Sequence, residues 1–511
     1  MCDHHCSSPG HGPHLDRRAL LTTGAGVVTT AALLDFEPAS AGTTKTKVFR
    51  GEFTDANTPD WHYLPFSVPA GVNAIEVSYT FSPTDTGVGF SYNVVDIGIF
   101  DPSGHDLGDG AGFRGWSGGA RRKFWISRSG ATPGYVPGPI SVGVWNILLG
   151  PYTIIPPGTP YEVRVTLHFG PQGPAFVPHP PPRRVKGTGP GWYRGDLHLH
   201  TIHSDGKRTL PEMITAARKA GLDFINSSEH NTISAHLAWG KYVPDDFLVM
   251  TGEEVTTRNG HWLAVGLPAG SWIDWRYRAA DGEFPTYAAR VRELGGLAIV
   301  AHPFNPVPSI KWDFGLDFAD LDAIEVWNGP WTGDDQTCVE HWHDLLVSGR
   351  YLPVVGNSDS HTPEQTVGLS QTVVRASSLS SGAIITALRG GHAWIAESSK
   401  VHLTFTASLG DRVAECGDAV GATATDVVDV RLVVKGAPGA LAQVRGPEGV
   451  LAGGVADSAG RAVVTVQVPG ATPFVRAEVR RPDDVVVSPV DDFPGAPMVA
   501  LTNPVFVAAT S

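Results

Sequence analysis

Near its middle, this 511-residue chain reads Asp196-Leu197-His198-Leu199-His200, and His203-Ser204-Asp205-Gly206 follows three positions later. The two histidines of the first segment stand two positions apart at the end of a short apolar run. If that run is a β-strand, both imidazoles point to the same face, because side chains alternate along a strand. Two imidazoles on one face, with a carboxylate a few residues further on, predict a metal site.

The same pattern, a histidine or an acidic residue after an apolar run, recurs further along the chain. Its later members are Ser228-Glu229-His230-Asn231, Gly252-Glu253-Glu254-Val255, His261, His302-Pro303, Glu325 and Asp359-Ser360-His361. In nearly every case the polar side chain comes at the carboxyl end of a run typical of a buried strand. A (β/α) barrel carries its chemistry at that end of its strands. The series therefore predicts that these side chains meet at one face of a barrel.

Composition narrows the classes of protein to which the chain can belong. Its length predicts two to four domains, and 42% hydrophobic residues are ample for buried cores. The formal net charge of −13 argues against a nucleic-acid or anionic-membrane surface, which needs a basic field. We therefore expect no nucleic-acid partner and no stable membrane insertion. The sequence leaves the oligomeric state open.

The first 41 residues are interpreted as a twin-arginine signal peptide. Arg17-Arg18 leads into an uncharged stretch from Leu20 to Leu34, which is too short for a comfortable transmembrane span. Ala39-Ser40-Ala41 offers a small-residue cleavage site. This interpretation predicts export to the periplasm, the cell wall or the medium. The alternative is a disordered Ala/Thr-rich tail on a cytoplasmic protein.

Beyond the signal, the pattern predicts three folded units and a linker. Residues 45–177 and 401–511 show alternating strand-like runs and are predicted to form an N-terminal β-sandwich and a C-terminal immunoglobulin-like β-sandwich. Residues 178–190 form a Pro/Gly-rich linker, and in residues 191–397 strands alternate with helices. Helices are predicted from Leu210 to a C-cap at Gly221, over Phe284–Leu294 and over Gln336–Val347.

The central third contains, in this order, His198-x-His200, Asp205, His230, Gly252-x-Glu254, His261, His302-Pro303 and Asp359-x-His361. This series resembles the PHP (polymerase and histidinol phosphatase) superfamily. The segments Gly195–Thr201 and Ser228–Asn231 are most similar to its carbaryl-hydrolase branch. The resemblance implies an α/β fold, a distorted seven-stranded (β/α) barrel, flanked here by the two β-sandwiches.

The resemblance also implies two or three divalent metal ions. Their ligands would be His198, His200 and Asp359 for the first; His261 and His302 for the second, with Glu254 bridging the two; and Asp205, His230 and His361 for a third. Imidazole and carboxylate ligands together suit Zn²⁺, Mn²⁺ or Fe²⁺, and the absence of thiolates disfavours a purely structural zinc site.

Such ligands predict hydrolysis. Two cations about 3.5–4 Å apart can share a water, lower its pKa towards 7 and direct the hydroxide at phosphorus or a carbonyl carbon. Asp359 is the candidate for taking the proton of the nucleophile, Glu254 is predicted to act with it, and His203 is placed to serve the leaving group. The expected function is an exported hydrolase of a small-molecule phosphoester, by analogy with the superfamily. The alternatives are a hydrolase of carbamate or carboxylic esters and a non-catalytic secreted binding protein.

Residues close to the motifs have plainer interpretations. Glu229 and Glu253 are expected to support ligands and not to bind metal. Glu325 lies inside a strand, where an unpaired carboxylate would be costly, so it is expected to face the site or a cation, and support of a ligand is one of its possible roles. His341, His343 and His392 are interpreted as core or surface histidines. The cations nearest the motifs in sequence are Arg258, Lys207 and Arg208, and none of them stands out as a phosphate anchor.

Overall fold

A computed structural model of the chain describes residues 42–54, 57–82, 92–308, 310–481 and 496–508. The predicted signal peptide, residues 1–41, lies outside the described residues. Within them, no helix combines the length and the apolar character that crossing a membrane requires.

The first folded unit is an antiparallel β-sandwich, which we call the N-terminal sandwich. Its two sheets have the strand orders β1-β8-β3-β6 and β2-β7-β4-β5. Alternate side chains point inward, so that Tyr161, Val163 and Val165 of β8 are buried between the sheets. The strands are β1 Thr44–Phe53, β2 His62–Val68, β3 Val72–Phe81, β4 Val94–Phe100, β5 Phe113–Trp116, β6 Lys123–Ser127, β7 Gly143–Thr153 and β8 Thr159–Phe169.

The second unit, which we call the central unit, mixes strands and helices. Its strands are β9 Gly191–Asp196, β10 Phe224–Ser227, β11 Leu248–Thr251, β12 Glu253–Thr257, β13 Gly260–Val265, β14 Leu297–Val300, β15 Ala323–Asn328, β16 Val354–Asn357, β17 Gln371–Ala376 and β18 Ala393–Ala396. Its α-helices are α1 Leu210–Lys219, α2 Phe284–Glu293, α3 Gly333–Val347 and α4 Ser381–Arg389. Short 3-10 turns cover Ser234–Leu237, Trp239–Lys241 and Ala279–Asp281.

The three predicted helices are confirmed, with small differences at their ends. Helix α1 has Pro211 in its first turn, and Gly221 follows its last turn at φ +77°, where a side chain would be strained. Helix α3 begins at Gly333, three residues before the predicted start. Thr332 begins it, because its backbone N–H and its hydroxyl both donate to Oδ2 of Asp335, at 2.7 and 2.8 Å.

The central strands divide into two sheets. Strands β9, β10 and β11 run parallel, and β17 and β18 extend that sheet in antiparallel fashion. The other sheet has the order β12-β13-β14-β15-β16. Where the two sheets meet, the Thr372 hydroxyl donates to the Gly356 carbonyl at 2.7 Å and accepts from its N–H at 3.0 Å, in place of backbone pairing.

A closed seven-stranded (β/α) barrel is therefore not confirmed. Strands β12 and β13 form an antiparallel hairpin, and β13 pairs antiparallel with β14, so helices do not separate all successive strands. The described residues form a mixed α/β unit with few helices, in which the parallel strands still end on one side. That common side is what the metal-site prediction requires.

The third unit shares a sheet with the second. Strand β27 pairs antiparallel with β18, so one eleven-stranded sheet runs from the central unit into the C-terminal sandwich. A second sheet, β20-β19-β22-β25, packs against it. The strands are β19 His402–Leu409, β20 Arg412–Ala414, β21 Ala419–Ala422, β22 Val427–Lys435, β23 Leu441–Gly446, β24 Gly449–Val455, β25 Ala462–Pro469, β26 Phe474–Arg480, β27 Met498–Thr502 and β28 Val505–Ala508.

Candidate metal centre

The strand ends of the central unit bring the nine predicted ligands together. His198, His302 and Asp359 each stand two residues beyond the end of a strand, namely β9, β14 and β16. Glu254 and His261 lie on the hairpin β12–β13. We call the nine residues the candidate centre: they are His198, His200, Asp205, His230, Glu254, His261, His302, Asp359 and His361.

Four atoms of the candidate centre converge most closely. Nε2 of His198 lies 3.2 Å from Oε2 of Glu254 and 3.3 Å from Oδ1 of Asp359. Nε2 of His200 lies 3.2 and 3.1 Å from the same two oxygens. All four atoms are buried, and none has a hydrogen-bond partner among the described residues. Two ligand atoms about 2.0–2.1 Å from a tetrahedral ion are about 3.3 Å apart, so the atoms of His198, His200 and Glu254 are close enough together to hold one divalent cation. Asp359 lies beside both histidines but is not part of that group of three.

The other oxygen of Glu254 faces a second group. Its Oε1 lies 2.8 Å from Nδ1 of His261 and 3.4 Å from Nε2 of His302. Nε2 of His261 and Nδ1 of His302 are buried without a hydrogen-bond partner among the described residues. Glu254 thus stands between two groups of histidines, where a bridging carboxylate would stand. Because Nδ1 of His261 is hydrogen-bonded to Glu254, this group is less open to an ion than the first.

A third group lies at the more open side of the centre. Oδ1 of Asp205 is 3.6 Å from Nε2 of His230 and 3.4 Å from Nε2 of His361, and His200 completes the set. That oxygen is buried without a hydrogen-bond partner among the described residues. The Asp205 side chain as a whole is 44% exposed, whereas those of His198 and His200 are fully buried. The centre is therefore more open to solvent on the side of Asp205 than at His198 and His200.

Glu325 supports the centre from behind. Its Oε1 lies 3.0 Å from Nδ1 of His198 and accepts a hydrogen bond from the Asn357 amide at 2.9 Å. Its Oε2 accepts from the backbone N–H of His302 at 2.9 Å and from the Asn328 amide at 3.0 Å. A carboxylate on the far nitrogen of a histidine fixes the ring and raises its basicity as a ligand. Glu325 therefore orients the Nε2 of His198 towards the shared oxygens.

Two further supports escaped the sequence analysis. The His230 Nδ1 lies 2.6 Å from the Thr256 hydroxyl and 2.9 Å from Oε2 of Glu254, and its Nε2 faces Asp205 at 3.6 Å. Asn357 also accepts the backbone N–H of Leu197 at 2.8 Å, so it ties β16 to the chain just before His198. A polar residue at the buried end of an apolar run is the signal that could have identified Asn357. No such signal marks Thr256, because threonine is common in β-strands and its presence there needs no functional explanation.

The remaining acidic neighbours behave as expected. Glu229 accepts hydrogen bonds from the hydroxyls of Thr201 and Ser204 at 2.5 and 2.6 Å, so it holds the loop that follows His200. Glu253 points away from the centre and accepts the backbone N–H of Ile273 at 3.0 Å. Both side chains therefore support the fold around the ligands.

The backbone is strained at the centre. Positive φ values occur at Asn231 (51°), His302 (32°) and Asp359 (48°), three residues that are not glycine. Such conformations cost on the order of 1–3 kcal/mol each and are kept where the surroundings impose them. Here they follow strand ends and turn two ligand residues towards the centre.

Electrostatics keep the carboxylates of the centre ionised. Burial opposes the charge of Glu254, but the fields of His230, His198 and His261 outweigh it and hold its pKa well below the ordinary value. The same balance, with His198 and His361 as the main opposing groups, holds the pKa of Asp359 well below its usual range. Burial lowers the pKa of His261 to about 4, so its ring is neutral at pH 7. Ionised carboxylates and a neutral imidazole are the forms that bind metal.

His203 does not fit a proton-donating role. Burial lowers its pKa to about 4, and its Nδ1 lies 2.8 Å from the Ser234 hydroxyl. A neutral ring held in this way has no readily transferred proton at pH 7. The three histidines interpreted as structural lie outside the candidate centre: His341 contacts the Leu316 carbonyl, His343 that of Pro447 and His392 that of Cys416.

Of the three basic side chains near the motifs, two donate hydrogen bonds to other protein groups. Arg208 donates to the Ser360 hydroxyl at 2.8 Å and to the Gln365 carbonyl at 2.7 Å. Arg258 donates to the backbone carbonyls of Asp60 and Tyr152 in the N-terminal sandwich. Lys207 is exposed. Both guanidinium groups therefore serve to hold the structure around the centre.

Comparisons with known proteins give partial similarities. No protein-family model matches the chain. An uncharacterised protein of Methanocaldococcus jannaschii is 28% identical over 148 residues, which cover 26% of this chain and 81% of that protein. One similar solved structure is a two-domain protein from Bacteroides vulgatus that contains a predicted PHP-like metal-dependent phosphoesterase. The match covers 65% of this chain and 100% of that protein, at 16% identity and a TM-score of 0.35. An amidohydrolase from Chromobacterium violaceum covers 34% of this chain and 89% of its own at 19% identity and a TM-score of 0.27.

Proposed function

We propose that this chain is a metal-dependent hydrolase of ester bonds in small molecules, with phosphoesters as its first candidate substrates. The observation that carries the proposal is the convergence of His198, His200, Glu254 and Asp359 through buried atoms that lack hydrogen-bond partners among the described residues. A carboxylate shared between two groups of histidines is the arrangement expected of two-metal centres, which phosphatases and nucleases use.

The residues present fit the implied ions and have separate roles, namely metal binding, orientation of the ligands and acceptance of a proton. Zn²⁺, Mn²⁺ or Fe²⁺ bound by the nine ligands would supply Lewis acidity and an activated water. Glu325 and Thr256 fix the rings of His198 and His230. The Asp359 side chain is 23% exposed, while Glu254 and His198 are almost fully covered, so Asp359 borders the space open to substrate. Its Oδ2, 3.4 Å from the Asn328 amide, is the atom placed to take a proton from the nucleophile.

A specific observation keeps carbamate and carboxylic esters as the second candidate class. Sites for phosphate monoesters usually add an arginine or lysine that grips the non-bridging oxygens. Arg208 and Arg258 are both committed to protein groups, and the chain carries a net charge of −13. A substrate with one negative charge or none, such as a phosphodiester or a carbamate, agrees better with these surroundings than a dianion does.

A substrate panel tests the proposal. The full chain, loaded in turn with Zn²⁺, Mn²⁺ and Fe²⁺, would be assayed with p-nitrophenyl phosphate, bis-p-nitrophenyl phosphate and 1-naphthyl methylcarbamate. We expect turnover of the diester above that of the monoester, and loss of that turnover in His200→Ala. Hydrolysis of the carbamate alone would select the second class. No turnover of any substrate by protein that has bound metal would refute the proposal.

We further propose that residues 1–41 direct export by the twin-arginine pathway. The support is the Arg17-Arg18 pair, the uncharged stretch after it and the Ala39-Ser40-Ala41 site. Fusion of residues 1–45 to a reporter that is active only after export as a folded protein tests this. Replacement of both arginines by lysine should abolish export, and continued export of the variant would contradict the proposal.

A further inference from the structure

Arg121 of the N-terminal sandwich contacts the turn that carries Asp205. This turn covers residues 202–205. Nη2 of Arg121 donates to the backbone carbonyl of Ile202, the first residue of the turn. Its Nε donates to the Pro133 carbonyl at 2.9 Å, within the sandwich. The half-buried guanidinium group thus joins a loop of the sandwich to the turn of the ligand.

Gly134, the next residue of that loop, brings the sandwich backbone against the same turn. A Cβ at this position would lie 3.1 Å from the carbonyl oxygen of His203 and 3.0 Å from that of Trp116. The residue also has φ +101°, a conformation that residues with a side chain rarely adopt. Glycine therefore permits a close approach of the two backbones.

The same glycine contacts the segment that follows His230. Its N–H donates to the Ser234 hydroxyl at 2.9 Å, and its carbonyl accepts from the Thr232 hydroxyl at 2.7 Å. The Ser234 hydroxyl also lies 2.8 Å from Nδ1 of His203, in the turn. One loop of the sandwich therefore braces the segments that carry two ligands of the third group, Asp205 and His230.

His361, a further ligand of the third group, is tied to the chain just after the turn. The backbone N–H of Lys207 donates to the His361 carbonyl at 2.7 Å. Arg208 donates to the hydroxyl of Ser360, the residue before His361, at 2.8 Å. A shift of the turn would therefore reach His361 as well as Asp205.

Packing between aromatic rings fixes the loop of the sandwich relative to the central unit. The backbone N–H of Trp116 donates to the Gly134 carbonyl at 3.1 Å. The Trp116 ring lies 4.7 Å from that of Trp275, and Phe113 stacks on Trp272 at 4.3 Å. Aromatic pairs in such geometry contribute beyond their buried area. The contacts to the turn therefore start from a fixed support.

His198, on the buried side of the centre, is supported from within the central unit. The buried Asp196 carboxylate accepts the backbone N–H groups of His198 and Ser358, both at 3.2 Å. Glu325 holds the ring of His198 at 3.0 Å. The sandwich contacts therefore concern the third group more than the set of His198, His200 and Glu254.

We propose that Arg121 is a positioning residue for the third group, and that the N-terminal sandwich thereby sets the affinity of the divalent ion bound there. This inference rests on the proposed function, which requires a metal centre. Ligands must be held within about 0.5 Å of their working geometry. Arg121 and Gly134 supply that constraint for the turn of Asp205, on the side of the centre that is more open to solvent.

Metal affinity distinguishes this role from general support of the fold. Arg121→Met keeps a long side chain and removes both hydrogen bonds. The full-length variant, loaded with Zn²⁺ or Mn²⁺, would be titrated with a fluorescent chelator. One ion should bind about 10–100-fold more weakly, as is typical when a group that orients a ligand is lost, and the others should keep their affinity. Arg121→Lys keeps a donor on a long stem and should restore part of the affinity.

Asp205→Ala identifies the ion concerned, because it removes a ligand of the third group. The ion that this variant loses should be the ion that Arg121→Met weakens. If Asp205→Ala keeps every ion of the wild type, the third group binds no metal and the inference is wrong.

Arg278→Met is the matched control. Arg278 of the central unit also binds the sandwich, through hydrogen bonds of 2.7 and 2.6 Å to the carboxylate of Asp60. These contacts involve neither the turn nor the segment after His230. All ions should therefore keep their wild-type affinity in this variant, and urea unfolding of both methionine variants should show any general loss of stability.

Unchanged affinity of every ion in Arg121→Met would overturn the inference and leave the proposed function standing. Equal weakening of all ions, or the same weakening in Arg278→Met, would also overturn it, because it would indicate general support. A wild-type chain that binds no divalent ion would overturn both. Should Arg121→Met fail to fold, Ser234→Ala removes the contacts with Gly134 and His203, and the same ion should be weakened.

Discussion

Glu254 in the candidate centre and Glu478 in the C-terminal sandwich are both buried carboxylates surrounded by nitrogen-bearing side chains. Around Glu478, Nη1 of Arg476 donates to Oε1 at 2.5 Å and Nε of Arg480 donates to Oε2 at 2.6 Å. Around Glu254, by contrast, Oε2 lies 2.9 Å from Nδ1 of His230 and 3.2 Å from Nε2 of His198, but it has no hydrogen-bond partner among the described residues. The carboxylate of Glu478 is hydrogen-bonded within its own cluster. The Oε2 atom of Glu254 and the histidine nitrogens around it instead face one another without hydrogen bonds.

The difference in side-chain chemistry explains the difference in geometry. Arginines are permanent cations, so the pairs around Glu478 neutralise its charge within the protein. The candidate centre contains the carboxylates of Glu254, Asp359 and Asp205, with Glu325 behind them, and its other members are imidazoles. Burial of several carboxylates without compensation is costly. Although burial opposes it, Asp359 and Glu254 raise the pKa of His198 well above its ordinary value and that of His200 to about 10, so these rings hold protons that a metal ion displaces when it binds. Divalent cations would then supply the positive charge and fill the open ligand positions.

The largest expected effect is on turnover. His200→Ala or Asp359→Ala removes one of the four converging ligands and should lower kcat by at least about a thousandfold, since the ions contribute several kcal/mol to the transition state. Steady-state assays with the best substrate of the panel measure it. His341→Ala changes a half-buried histidine that lies outside the candidate centre and contacts the Leu316 carbonyl; it is the control and should keep wild-type activity. Retention of more than about a tenth of the activity in either ligand variant would refute the assignment.

Glu478→Gln should lower the stability of the chain and leave its metal content unchanged. It leaves Arg476 and Arg480 buried without their counter-ion, and loss of one partner from a buried ion pair costs about 3–5 kcal/mol. Urea unfolding of the full chain measures the change in the free energy of unfolding. Metal content should stay that of the wild type, because the cluster is in another unit. A loss of bound metal with unchanged stability would contradict the distinction between the two clusters.

Glu325→Gln should have a smaller effect on metal binding. The amide keeps the size of the side chain but removes the negative charge that faces Nδ1 of His198. Loss of such an outer carboxylate typically lowers metal affinity about 10–100-fold. Competition with a fluorescent chelator measures that affinity. An affinity equal to that of the wild type would show that the backbone alone positions His198.

The smallest effect concerns the pH dependence of stability. Burial opposes the charge of Glu478, but Arg476 and Arg480 outweigh it and hold its pKa below the ordinary value. The folded state therefore binds fewer protons than the unfolded state, so the stabilisation is present above about pH 4.3 and is lost as pH falls. The stability gap between the wild type and Glu478→Gln should narrow between pH 7 and 3. A constant gap would show that the contribution is not ionic.

The sequence predicted the ligand positions more fully than the fold around them. His198, His302 and Asp359 were recognisable because a polar residue after an apolar run is costly unless it has a function. The closed barrel was not confirmed, because the β12–β13 hairpin replaces a helical connection and no motif marks it. The contact of the N-terminal sandwich with the central unit depends on the packing of Trp116 against Trp275, residues far apart in the chain, and sequence periodicity carries no information about that contact.

The C-terminal charge cluster was overlooked for a different reason. Arg476, Glu478 and Arg480 alternate along β26 and share one buried face. An Arg-x-Glu-x-Arg pattern in a strand usually indicates a face exposed to solvent, because charged residues are seldom buried unless paired. Helix α3 covers this face: the Arg476 guanidinium lies 5.3 Å from the Trp342 ring, and Nη1 of Arg480 donates to the Gln336 side chain at 2.9 Å.

Metal stoichiometry tests the central claim most directly. The full chain, purified without chelators and dialysed, would be analysed by inductively coupled plasma mass spectrometry beside His200→Ala and Glu478→Gln. We expect two or three divalent ions per chain in the wild type and in Glu478→Gln, and at least one ion fewer in His200→Ala. Fewer than about one ion per wild-type chain, even after incubation with Zn²⁺, Mn²⁺ or Fe²⁺, would contradict the account and favour a non-catalytic binding protein.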